Sequence, residues 1–126
     1  MTIASTATPL SQPMDPSDVD YFGLKITQVG DELPPGREPI LEADEVVTSY
    51  TLTMGVEAVA AGLKILGGDK APSLADRLLV FWLEIEDGME ADPIFYVGLT
   101  LPVELTVVTS KGRTKQRTAT VRVVNL

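Results

Sequence analysis

Two groups of carboxylates are the first candidates for chemistry in this chain: Asp15, Asp18 and Asp20 near its start, and Glu84, Glu86, Asp87, Glu90 and Asp92 further on. Clustered carboxylate oxygens suit calcium, and a pair of carboxyls held in different environments can act as general acid and base. Neither group has the ligand spacing and glycine of an EF-hand loop. A solvated acidic arm or turn accounts for both, so no metal, cofactor or catalytic residue is assigned from them. The absence of cysteine and histidine removes disulfides, thiolate and imidazole metal sites, and the Ser-His and Cys-His nucleophile pairs. The chemistry left is that of carboxylate, lysine or tyrosine, and the chain reads as a non-enzyme.

The basic residues make a second constellation. All 18 acids lie at or before Glu104, where they face five bases, whereas residues 105–126 hold Lys111, Arg113, Lys115, Arg117 and Arg122 and no acid. An acidic body of net charge −13 thus carries a basic tip of +5. Lys111, Arg113, Lys115 and Arg117 alternate with Gly112, Thr114 and Gln116 around a turn and could meet phosphate. The acidic body repels a polyanion over a Debye length of about 10 Å, and no aromatic near the tip could stack on bases, which disfavours nucleic acid. Two readings remain: contact with an acidic protein surface, such as the body of a neighbouring copy, and a solubilising tip that blocks edge-to-edge strand pairing.

Trp82, Phe81, Phe95 and Tyr96 lie in the two most apolar stretches and read as core, with Tyr21, Phe22 and Tyr50 able to join them. The glycines form no phosphate-binding loop. An aromatic platform for sugar would require these rings to be exposed.

The elements that must position these groups follow from periodicity. Residues 1–20 hold Pro9, Pro13 and Pro16 among Ser and Thr with few large apolar groups; they read as an extended arm that cannot fold alone and orders on another molecule. Residues 21–126 read as one β-rich domain. A first strand covers Phe22 to Val29, Gly30 to Glu45 is a long acidic loop, and Glu45 to Met54 is a strand with Val46, Tyr50, Leu52 and Met54 on one face. Val56, Val59, Ala60, Leu63 and Ile65 or Leu66 recur at helical spacing, ended by Gly67-Gly68. Ser73 and Asp76 sit at capping-box spacing, so one helical turn is expected there. Leu78 to Glu86, apolar on both faces at its start, reads as a central strand, with a helix over Ser73 to Glu86 as the alternative. Ile94 to Leu101 and Val103 to Thr109 read as strands divided by Pro102, and the last 24 residues as a β-hairpin. The sum is a mainly β fold, a β-sandwich or open barrel of about six strands with one short helix. No apolar run approaches the roughly 20 residues of a membrane span, and Met1 to Thr8 lacks a secretory signal pattern.

A Pro-rich arm, a compact β domain without catalytic equipment and opposite charges on body and tip resemble small structural proteins of tailed-phage particles, above all capsid decoration or cement proteins. The resemblance implies a virion subunit that docks by its N-terminal arm and self-associates, a trimer being one option, with the major capsid protein or another lattice protein as partner. The contacts it implies fall on Pro9, Pro13, Pro16, Tyr21, Lys111, Arg113, Lys115 and Arg117. A phage tail or head–tail joining subunit, and a carbohydrate- or calcium-binding β module, are the alternatives.

Overall fold

Strands whose apolar residues fall at every second position can bury one face only, and two such sheets bury theirs against each other. The computed structural model, which describes residues 7–10 and 12–126, has this form. Its eight described strands are β1 (Thr8–Pro9), β2 (Val19–Lys25), β3 (Val47–Met54), β4 (Leu63–Ile65), β5 (Ser73–Ala75), β6 (Leu78–Ile85), β7 (Leu99–Thr109) and β8 (Thr114–Val123). One sheet has the order β1-β8-β7-β3; the other runs β2-β6-β4, with β5 also paired to β6. The sheets form a sandwich and do not close into a barrel. Phe22, Leu24, Leu79, Phe81, Leu83 and Ile85 from one sheet bury against Leu101, Val103, Leu105, Val107, Ala119, Val121 and Val123 from the other. Each of these side chains larger than alanine contributes about 1.5–3 kcal/mol on leaving water.

The hairpin of the last 24 residues forms as expected, with β7 and β8 paired from Leu99↔Val123 to Val108↔Thr114. Its turn is closed by Gly112, whose φ of 75° a side chain would resist. Pro102 does not divide β7. Its carbonyl accepts from the Gly55 N–H, so its missing donor faces the same side, just beyond the last pair of β3 with β7, Met54↔Val103. No ladder bond is lost there.

Several expectations are corrected. The helix after β3 is one turn, α1 (Val56–Ala60). Gly62, at φ 89°, takes the chain out of the helix, and Leu63 then enters the core as part of β4. A side chain at Gly62 would meet the Met89 sulfur at 2.8 Å, so this exit depends on glycine. No helical turn forms at Ser73. Ala75 pairs with Leu78 across a two-residue turn in which Asp76 and Arg77 both have positive φ. Tertiary bonds hold that turn: Ile26 N–H donates to the Arg77 carbonyl, and the Arg77 guanidinium donates to the Ile26 carbonyl and Asp31. The expected strand from Ile94 begins instead as a helical turn, α2 (Ile94–Val97), preceded by a turn in which Ile94 N–H donates to Asp92 at 3.0 Å, and anchored by buried Phe95. The first expected strand is shifted towards the N-terminus and starts at Val19. A bulge between Val47 and Ser49 takes Val46 off the inward face assigned to it.

The largest correction concerns the arm. It is extended, yet its described residues lie on their own domain. β1 runs parallel to β8, with Thr8↔Ala119 and Pro9↔Thr120, and Leu10 N–H donates to the Thr120 carbonyl at 2.8 Å. Met14 bridges to Val123 and is fully buried in the core, and Pro16 is buried too. Asp15 accepts from the Leu126 N–H at 2.8 Å, which holds its carboxyl below the usual range. The backbone edge of β8 supplies the partner that the arm was expected to find on another molecule.

Candidate functional site

The residues singled out in the sequence separate into three places. Lys111 and Arg113 are spent inside the chain. The Lys111 ammonium pairs with Glu42 and with Asp44 at 2.8 Å. Arg113 grips Glu45 through two nitrogens, Nε to Oε2 at 3.0 Å and Nη2 to Oε1, and also donates to the Ile40 carbonyl. The Glu45 side chain is wholly buried. The Arg113 guanidinium holds its carboxyl down at about 2, outweighing the burial that pushes it up. The acidic surface that the basic tip meets is therefore the chain's own loop, residues 40–45. The Gln28 side-chain amide also donates to the carbonyls of Glu42, Ala43 and Glu45, so this long loop is fastened along its length.

Lys115 and Arg117 do not lie at the tip. They stand opposite Val107 and Leu105 in the β7–β8 ladder, on the inward face of the sheet. Arg117, with Pro9 from β1, lines a cleft of about 710 Å³ between the sheets, among Leu10, Leu24, Ile40 and Leu105. Lys25, Arg37 and Glu38 lie at its edge. Pro13 is exposed and does not line it.

Tyr21 lies elsewhere, on the outer face of the β2-β6-β4 sheet. It is 57% exposed and sits 5.2 Å from Trp82, ring centroid to centroid, with planes at 49°. The cross-strand pairs Tyr21↔Trp82, Gly23↔Val80 and Lys25↔Leu78 lie side by side on that face, and Val19 and Leu78 are also exposed. Gly23 leaves a shallow floor that the Leu78 side chain borders. The Lys70 ammonium lies 4.6 Å from the centre of the Trp82 ring, a cation–π contact. Lys64 and Glu84 pair at 3.0 Å at the margin. Of the four rings assigned to the core, Phe81 and Phe95 are there; Trp82 is half-buried on the outer face, and Tyr96 is 70% exposed on α2.

The acidic clusters serve as turn and strand partners. Asp15 and Asp18 accept from backbone N–H groups of Ser17 and Asp15, Glu90 from Gly88, and Asp92 from Ile94. Among the described residues no group of three or more His, Cys, Asp or Glu is arranged to hold a metal ion, and no helix is long and apolar enough to cross a membrane.

The outer-face patch was only half visible in the sequence. The run Leu78 to Leu83 is apolar on both faces, the pattern of a strand covered on both sides. Here one side is buried under the other sheet, whereas on the opposite side the described residues leave Leu78 exposed and Val80 and Trp82 only partly buried. A sheet face that brings together valine, tyrosine, leucine and tryptophan is a surface suited to burying against another molecule.

No family model matches the chain, and no curated protein does. Among solved structures it is similar to a 2,6-sialyltransferase from a Photobacterium species of the Vibrionaceae, with a TM-score of 0.42 and 12% identity. The likeness covers 97% of this chain and 19% of that one.

Proposed function

We propose that this chain is a non-enzymatic structural subunit of a virus-type particle, a β-sandwich that docks on a protein lattice through the outer face of its β2-β6-β4 sheet. One observation carries the reading: β6 is apolar on both faces, and the described residues bury only one of them. In this reading Tyr21, Trp82 and Leu78 are the central anchors, and the charged pairs around them form the rim. Attachment falls to the sheet face because the arm already has its partner in β8.

The form we put first is a capsid decoration subunit on a tailed-phage head, present in many copies, so that weak single contacts add up across the lattice. A tail or head–tail joining subunit would use the same face and differ by forming rings. Gradient sedimentation of material from producing cells, with antibody detection, tests the reading. The chain is expected in fast-sedimenting particle fractions, and its recovery only as slow free protein would overturn the proposal. Electron microscopy of those fractions separates decorated shells from rings.

One observation favours a second reading, a carbohydrate-binding module: Tyr21 and Trp82 lie side by side on an open sheet. The Lys70 ammonium, however, occupies a face of the indole on which a sugar would stack. The assembly reading therefore stands first.

A further inference from the structure

Sheet edges are where chains pair with one another, and folded proteins blunt them with proline, charge or brevity. Three of the edges here follow that rule. β8 is capped by the arm with Pro9, β2 carries Asp20 and Lys25, and β4 and β5 have three residues each. β3 does not follow it. Its eight residues, Val47 to Met54, contain no charge and no proline, and among the described residues it ends its sheet with β7 on one side and no strand on the other.

We infer that the free edge of β3 is a self-association surface, on which a second copy pairs β3 to β3 antiparallel about a two-fold axis. The ladder direction supplies the argument. Gly55 N–H donates to the Pro102 carbonyl, so beyond the bulge the odd-numbered residues of β3 turn their backbone groups to β7, in the pairs Ser49↔Val108, Thr51↔Thr106 and Thr53↔Glu104. Tyr50, Leu52 and Met54 therefore turn their N–H and C=O groups outward. A two-fold axis at Leu52 pairs Leu52 with Leu52 and Tyr50 with Met54 of the second copy, each pair exchanging both its bonds. The side chains of Tyr50, Leu52 and Met54 are only partly buried, at the margin of the core, and the added strand extends the layer over them.

The same operation accounts for valines that the single chain leaves uncovered. Val46, just before β3, and Val56 and Val59, just after it, are 60%, 82% and 58% exposed. Antiparallel pairing brings the beginning of one β3 beside the end of the other, so Val46 approaches α1 of the second copy. No like charges oppose one another along the strand, and the resulting contact is isologous, closing at two copies. This inference rests on the assembly reading for its purpose but not for its geometry.

The test uses the exposed residues Thr51 and Thr53, which face each other across the axis on the outer face. Light scattering and sedimentation of the purified full chain across the micromolar range are expected to show a dimer. Thr51→Lys/Thr53→Lys opposes like charges in the pair and is expected to weaken dimerisation roughly tenfold or more, while melting like the wild-type chain at concentrations where both are monomers. Thr51→Lys/Thr53→Glu opposes unlike charges and is expected to restore the dimer, which separates lost pairing from lost folding. A wild-type monomer throughout, or a dimer indifferent to both double variants, would overturn the pairing. Either result leaves the docking face to its own gradient test.

Discussion

Removing residues 1–20 is expected to destabilise the domain itself, and a thermal melt of the truncated chain should show it. Met14 has no exposed surface and bridges β8, Pro16 is buried, and Val19 and Asp20 begin a strand that pairs along the length of β6. Truncation opens a hole in the core, strips the β8 edge and takes the start of β2 with it. The point substitution Met14→Ala isolates the first effect. Loss of a fully buried methionine costs about 2–5 kcal/mol, which lowers the melting temperature on the order of 10 °C for a domain of this size. Pro13→Ala, one residue earlier and exposed, should leave the melt unchanged. A truncated chain that melts like the intact one would show that the arm adds nothing to the fold.

Arg113→Met should be as damaging, and its acid response should identify the cause. In the intact chain the Glu45 carboxyl is held down to about 2, and Asp31, gripped by Arg77, is held at about 2 as well. A carboxyl with a depressed folded-state pKa contributes stability that is complete above its unfolded value and is lost as pH falls through the folded value. The intact chain should therefore lose stability between about pH 4.5 and pH 2. Without Arg113 the wholly buried Glu45 side chain has no cation beside it, and burial pushes its pKa up. Its contribution then reverses, and stability should rise as pH is lowered from neutrality towards about 5. The melting temperature at pH 7 is expected to fall on the order of 10 °C. Chemical denaturation of both proteins at several pH values between 3 and 8 reads the two slopes; parallel pH profiles would mean that Glu45 does not depend on Arg113.

How much of this was legible in the sequence varies with how local the cause is. The last hairpin, β3 and the two-sided apolar strand β6 declare themselves through alternation and β-branched residues, and the sheets form there. Helix and strand were confused where short segments are decided from outside. Residues 63–65 share a helical spacing with Val56 and Val59, but Gly62 and the free edge of β6 draw them into β4. Asp76 and Arg77 adopt a conformation that neither favours because Arg77 is fastened to Ile26 and Asp31, far away in the chain. Composition marks the arm as unable to fold alone, but cannot say whose surface orders it. Met14, one large apolar residue among prolines and aspartates, is the sequence signal of that contact.

The surfaces were read less well than the fold, for a related reason. Clustering of charge along the chain suggested a basic tip, yet alternation along β8 sends Lys115 and Arg117 to the opposite face from Thr114 and Gln116, while Lys111 and Arg113 turn back onto residues 40–45. Trp82 looked like core because its strand is apolar throughout. Which face of β6 remains open follows only from the pairing of the two sheets. Tyr21, expected among the contacts of arm and tip, belongs instead to that open face.

The central claim is that this face is covered in the assembled state. Gradient sedimentation of particles from cells producing either the intact chain or the Tyr21→Asp/Leu78→Lys variant, both substitutions lying on exposed positions, tests it most directly. The account predicts an intact chain in the particle fractions and a variant that remains free while melting like the parent. A variant that sediments with the particles as fully as the intact chain would contradict it.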